Sequence, residues 1–183
     1  MIPLAEINND WTLFIDRDGV INHEKANDYV HKWEEFRFYD GVFEAFETFA
    51  GIFKYIIVVT NQKGVGKGLT KETDLHEIHH NMKADIEQHG GRIDAIYYCP
   101  DLENDSPNRK PQPGMGLQAI EKFKDIDLSK SLMVGNTLSD MQFGRNLGVH
   151  TIFLSTTRPE VKLDDESIDA AYPTLHAFSQ TLL

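Results

Sequence analysis

The chain has a single cysteine, Cys99, among 183 residues. One thiol cannot form an internal disulfide and cannot by itself build a thiolate zinc site. Basic residues are scarce as well: 18 Lys and Arg stand against 29 Asp and Glu, for a formal net charge of −11. A field of that sign disfavours broad binding to nucleic acid or to anionic membranes. An anionic substrate would need a few local cations to overcome it. Long apolar runs are also missing. The N-terminus, MIPLAEINND, has neither a basic leader region nor a long apolar stretch, and no later run approaches bilayer-spanning length. A cytoplasmic location with no membrane partner is therefore expected. Internal repeats and low-complexity tracts are absent from the sequence.

What is there is ordinary globular composition, 40% hydrophobic and 26% charged. The length suits one well-filled core and is short for two, so a single domain over residues 1–183 is expected, as a monomer. Apolar runs bounded by turn residues recur at Leu13 to Ile15, Tyr55 to Val59, Ile93 to Tyr98, Ser131 to Val134 and Thr151 to Leu154. Between them, helical periodicity marks Val42, Phe46 and Phe49 behind an Asp40 cap, then Thr70 to Gln88, Gly114 to Lys124 and Leu138 to Asn146. Ala170 to Leu183 reads as a short strand and a closing helix. Strands alternating with helices predict an α/β fold, a doubly wound, Rossmann-like parallel sheet flanked by helices. Ligands in such sheets sit outside the carboxyl ends of the strands. Of the irregular segments, Asn22 to Tyr39 and Pro100 to Pro113 are expected at that edge.

Four strand ends carry chemistry. The first delivers Asp16 and Asp18 around Arg17, followed by Gly19. Two close carboxylates are costly unless a cation neutralises them, which favours a functional pair, with solvated aspartates in a turn as the alternative for that stretch alone. The second ends in Thr60-Asn61-Gln62 and continues as TNQKGVGKG, a lookalike of the nucleotide-binding P-loop G-x-x-x-x-G-K-[ST]. Gly68 replaces the final hydroxyl and Asn61 replaces the first glycine, so the P-loop reading fails. A hydroxyl and backbone N–H groups there could hold a phosphoryl oxygen without adding negative charge. The third word is Arg109-Lys110-Pro111-Gln112-Pro113-Gly114, in which a lysine could offset charge in a transition state. The fourth is Met133-Val134-Gly135-Asn136-Thr137-Leu138-Ser139-Asp140, where Asp140 is also well explained as a helix-capping residue.

In this order the four words resemble the motifs of the haloacid dehalogenase-like phosphatases, from Thr12 to about Leu154. The longer words DRDGVIN, VVTNQ, YYCP, RKPQPGM and MVGNTLSDM are similar to the branch that acts on histidinol phosphate and D-glycero-D-manno-heptose 1,7-bisphosphate. The resemblance implies a hydrolase in which Asp16 attacks phosphorus to form an aspartyl-phosphate, Asp18 is the general acid and base, and Lys110 pairs with phosphate and Asp16. It implies phosphate or substrate contacts from Thr60, Asn61, Arg109 and Lys63, and Mg²⁺ held by Asp16, the Asp18 carbonyl, Asn136 and Asp140. Asn136 departs from the family, which usually has an aspartate there, so weaker metal binding is expected. No cap domain is expected, because Gly19 to Asp40 is too short for one. Candidate rim cations are Lys25, Lys63, Lys67 and Arg109, with His23 beside them.

The expected substrate is a small phosphorylated metabolite, with a heptose bisphosphate leading. Histidinol phosphate and a polynucleotide 3′-phosphate are the rivals, the last disfavoured by charge. A non-catalytic scaffold on a degenerate phosphatase fold is the rival of another class. His76, His79 and His80 have metal-binding spacing on a helix, and a solvated helix face is the favoured reading. The heptose enzymes commonly carry a zinc loop, Cys-x-His then Cys-x-Cys. The corresponding positions here are Cys99 with Asp101 and Ser106 with Asn108, so no structural zinc is expected. Metal analysis of tag-free protein should find no stoichiometric zinc; one equivalent per chain would contradict this expectation.

Overall fold

In the computed structural model, which describes residues 2–183, six parallel strands form one sheet. They are β1 (Thr12–Ile15), β2 (Tyr55–Asn61), β3 (Ala95–Cys99), β4 (Ser131–Gly135), β5 (His150–Leu154) and β6 (Ala170–Tyr172), in the spatial order β3-β2-β1-β4-β5-β6. The helices are α1 (Val42–Ile52), α2 (Lys63–Gly66), α3 (Glu72–Gln88), α4 (Gly114–Lys122), α5 (Leu138–Leu147) and α6 (Leu175–Gln180). No described helix is long and apolar enough to cross a membrane.

The four central strands are buried on both faces, the edge strands β3 and β6 are mostly half-buried, and a period of two sorts the core into two layers. Leu13, Ile15, Ile56, Val58, Leu132, Val134, Ile152 and Leu154 join α1, α3 and α6 in one buried cluster. Phe14, Ile57, Val59 and Met133 join α4 and α5 in the other. α6 closes the first layer by setting Phe178 against Phe49 of α1, with ring centroids 5.6 Å apart.

The helix caps differ from expectation at one point. Asp40 does not cap α1; the position belongs to Gly41, at φ 76°. A β-carbon there would come within 2.7 Å of His176 in α6, so both the left-handed backbone and the close approach call for glycine. α3 also corrects a reading. His79 faces inward with Leu75, Ile78, Met82 and Ile86, whereas His76 and His80 are exposed.

Order and register together place the site. The sheet reverses its direction of winding between β1 and β4, the position where such folds open a crevice at the carboxyl edge. Ile15 pairs with both Val58 and Val134, so the residues just beyond them converge there. The segment from β1 to α1 holds one short 3-10 turn, Trp33–Glu35, and that from β2 to α3 holds α2. The segment after β5 also reaches this edge, which the sequence reading did not anticipate.

That last segment is anchored at its far end. Arg145 of α5 forks Asp169 at 2.6 and 3.0 Å and donates to the Glu166 carbonyl, while Thr151 N–H donates to Asp169 at 2.9 Å. Burial raises the Asp169 carboxyl, but the bonds from Arg145 and Thr151 outweigh it and hold it below 3.8. A depressed carboxyl contributes stability above its ordinary value that is lost as pH falls through its folded value. Asp169→Asn should therefore cost about 1–3 kcal/mol in urea unfolding at neutral pH, and progressively less below 3.8. A pH-independent difference would contradict this assignment.

Candidate active site

The site grows from a buried ammonium. Lys110, 4% exposed, lies between two carboxylates, 2.8 Å from Asp16 Oδ1 and 2.6 Å from Asp140 Oδ1, and donates to the Val59 carbonyl at 2.9 Å. Burial alone would lower the lysine, but Asp140 and Asp16 outweigh it and hold it above its usual range. Burial pushes Asp16 up to about 7, Asp140 adds to the rise, and Lys110 opposes it. Two carboxylates share one ammonium, leaving a surplus of negative charge that a further cation would relieve.

The Asn61 side chain is engaged with the lysine backbone. Its Oδ1 accepts from Lys110 N–H at 3.0 Å and its Nδ2 donates to the Lys110 carbonyl at 3.1 Å. This two-bond pairing fixes the lysine backbone and leaves the amide committed to protein rather than phosphate. Thr60 is buried beside it and accepts from Gln62 Nε2 at 2.9 Å.

Asp18 is held by a second buried cation. Arg17, 1% exposed, forks both oxygens of Asp18 at 2.9 Å, and Asn22 and Gln62 donate to the same carboxylate at 2.9 and 2.8 Å. Burial raises the Asp18 carboxyl, but Arg17 and these hydrogen bonds outweigh it and hold it low. Behind Arg17, Nη1 lies 3.1 Å from His79 Nε2. Burial, then the adjacent guanidinium, pushes His79 down to about 3, so the neutral ring accepts from Arg17. Sequence reasoning does not single out Arg17 or His79 for these roles; a cation between two functional carboxylates was the available signal.

Asn136 is fully buried, and its Oδ1 has no hydrogen-bond partner among the described residues. Its amide lies against Gly19, at φ 79°, where a β-carbon would meet Asn136 Nδ2 at 2.0 Å. An unpartnered buried acceptor, beside a carboxylate pair with surplus charge, suits a hard cation that takes oxygen ligands. The residues present therefore fit Mg²⁺. Asp140 is otherwise engaged. Its Oδ2 accepts from Asn136 N–H, Thr137 N–H and Thr137 Oγ1 at 3.2, 3.0 and 2.7 Å, completing a capping box on α5, while its Oδ1 holds Lys110.

Two clefts meet over these groups. The smaller, about 330 Å³, is lined by Asp16, Thr60, Arg109, Lys110, Ser139 and Asp140, among others. The larger, about 800 Å³, is lined by Arg17, Lys25, Tyr29, Gln62, Lys67 and Arg158, among others. Asp18 and Asn61 belong to both. Lys63 lines neither cleft; Lys67 does, with its ammonium 5.4 Å from the Tyr29 ring centroid. Arg109 donates to the Asp101 carbonyl, and Ser106 Oγ bonds the Asp101 carboxylate, so hydrogen bonds tie this loop together.

A carboxylate at a strand end, a buried lysine beside it and a small cleft at the switch point define a phosphoryl-transfer site of the haloacid dehalogenase-like kind. A family model for HAD-hydrolase-like proteins matches residues 107–177. The D-glycero-alpha-D-manno-heptose-1,7-bisphosphate 7-phosphatase of Campylobacter jejuni is 42% identical over 142 residues, 78% of this chain and 80% of its own length. The D-glycero-beta-D-manno-heptose-1,7-bisphosphate 7-phosphatase of Pasteurella multocida is 34% identical over 155 residues, 80% of this chain and 83% of its own. The crystal structure of D,D-heptose 1,7-bisphosphate phosphatase from B. bronchiseptica complexed with magnesium and phosphate superposes with a TM-score of 0.83 at 28% identity, covering 94% of this chain and 97% of that one. The chain belongs to the haloacid dehalogenase-like phosphatases, in the branch of the heptose bisphosphate enzymes.

The His79–Arg17 contact has a measurable sign. Above 6.5 the ring is neutral folded or unfolded; between 6.5 and about 3 only the unfolded chain takes the proton, so stability falls as pH falls. His79→Gln keeps an acceptor for Arg17 and removes that proton. Urea titrations should show wild type losing up to about 1.4 kcal/mol more than the variant per pH unit in this window. Parallel slopes would show that His79 is protonated in the fold.

Proposed function

We propose that the chain is a Mg²⁺-dependent phosphomonoesterase, built on a single domain, that removes a phosphate from D-glycero-D-manno-heptose 1,7-bisphosphate. The observation that carries this reading is the buried Asp16–Lys110–Asp140 cluster opening into a cleft of about 330 Å³ beside Thr60. Relatives named for that substrate, of both anomeric descriptions, support the choice of sugar.

In this reading Asp16 attacks phosphorus in line and carries the phosphoryl group as an acyl phosphate, dividing one displacement into two. Lys110 stays against the nucleophile and offsets charge as the phosphoryl oxygens approach. Thr60 supplies a hydroxyl to those oxygens. Asp16, the Asp18 carbonyl and Asn136 Oδ1 would hold Mg²⁺, which when bound neutralises phosphoryl charge and orients the group for attack. Asp140 serves the site by holding Lys110 and the Asn136 turn.

Asp18 works as base and acid in turn. Held ionised by Arg17, it is ready to take a proton from the water that hydrolyses the acyl phosphate. To protonate the leaving alkoxide it must first gain a proton, and a phosphate dianion brought into the cleft favours that by raising its pKa. Arg109 in the smaller cleft and Lys67 in the larger offer the substrate's remaining anionic and hydroxyl groups cationic partners, beside Lys25 and Arg158, which pair with Glu35 and Glu24.

Phosphate release with Mg²⁺ should be fastest, by kcat/KM, on a heptose 1,7-bisphosphate, compared with histidinol phosphate and a 3′-phosphorylated oligonucleotide. Asp16→Asn should lower kcat by about 10⁴-fold or more. Asn136 is the feature that favours a non-catalytic scaffold instead; a wild type inert on every ester with saturating Mg²⁺ would establish that reading.

A further inference from the structure

The segment following β5 clasps the catalytic edge with consecutive side chains. Thr156 Oγ1 donates to the Gly19 carbonyl at 2.5 Å, Thr157 Oγ1 accepts from Asn136 Nδ2 at 2.6 Å, and Arg158 pairs with Glu24 at 2.9 Å. Only the middle contact touches a residue that the proposed metal site would use. It commits the donor end of the Asn136 amide to the protein and leaves Oδ1 as the end without a partner among the described residues.

An amide needs this arrangement because its two ends are unlike. Turned over, it would present N–H donors to a cation, whereas a carboxylate has an acceptor on either side and needs no such choice. Rotation by packing alone would not choose between the ends, since amide oxygen and nitrogen are nearly equal in size. Here the Thr157 hydroxyl accepts at the nitrogen, so the amide is held with its donor end satisfied and its oxygen end turned away from Thr157. Metal ligands are commonly oriented by such outer hydrogen bonds.

We propose that Thr157 is a positioning residue for the metal site, holding Asn136 so that its carbonyl oxygen faces the cation. The pair makes a neutral oxygen ligand where a carboxylate would otherwise stand. This rests on the Mg²⁺-dependent reading above, and it adds a residue from a segment outside the motifs that carry the family resemblance.

The test is a double-mutant cycle read by Mg²⁺ titration calorimetry on the folded, metal-stripped protein, with thermal unfolding of the apo forms as the structural control. Thr157→Val should weaken Mg²⁺ binding by about 10–100-fold, while Thr157→Ser, which keeps the hydroxyl, restores it. Asn136→Asp should bind Mg²⁺ more tightly than wild type, because the ligand gains a full charge. In the Asn136→Asp background Thr157→Val should change affinity by no more than about twofold, since the orientation it supplied is no longer needed. An equal loss in both backgrounds would overturn the proposal, by showing that Thr157 acts through the loop and not through the amide. So would a Thr157→Val variant that lowers apo stability and leaves Mg²⁺ affinity unchanged. A wild type that binds no Mg²⁺ would overturn the metal reading itself, and this proposal with it; a wild type that binds, with Thr157→Val indistinguishable from it, would overturn this proposal alone.

Discussion

The ammonium of Lys110 is the charge on which the catalytic edge depends. It is buried between Asp16 and Asp140 and has a backbone carbonyl as its third partner. Each carboxylate would be an uncompensated buried charge without it, and a buried ion that loses its partner costs far more than an exposed one. Three separate parts of the chain meet in this cluster: the loop immediately after β1 supplies Asp16, the loop before α4 supplies Lys110, and the first turn of α5 supplies Asp140. The cluster is thus a structural clamp as well as the proposed reaction centre. Asn61 adds a fourth part by pairing with the lysine backbone from the end of β2.

The electrostatics around this clamp resolve a difficulty set by composition. The molecule carries a formal charge of −11, yet its family acts on anionic esters. The cations that matter are few and local. Arg17 is spent on Asp18 and Lys110 on Asp16 and Asp140, so neither is an exposed attractor. Lys25, Lys67, Arg109 and Arg158 line the clefts where a substrate would meet them. On the proposed reading Asn136 would change the balance from the metal side, since an amide ligand brings an oxygen without a full charge.

Much of the fold could be read from local pattern. The four central strand runs are apolar on both faces, and the intervening helices are amphipathic or capped, as α5 is by Thr137 and Asp140. The errors fell where a neighbour distant in sequence decides. Gly41 displaced the expected Asp40 cap because His176 crowds that turn. His79 turned inward because Arg17 needed an acceptor on the inner face of α3.

The site divides the same way. Sequence alone determined which strand ends carry the candidate groups, because Asp16, Thr60, Lys110 and Asn136 each stand at the end of an apolar run or just before a helix, where a parallel sheet collects its chemistry. It determined the family too, through the order of those words. Tertiary structure decided which atoms are occupied. Asn61 is held by Lys110, Asp140 by the same lysine and its own helix cap, and Asn136 gives its nitrogen to Thr157 while its oxygen has no partner among the described residues. A hydrogen bond consumes a particular atom in a particular direction, and direction exists only once chain segments far apart in sequence are brought to the same edge.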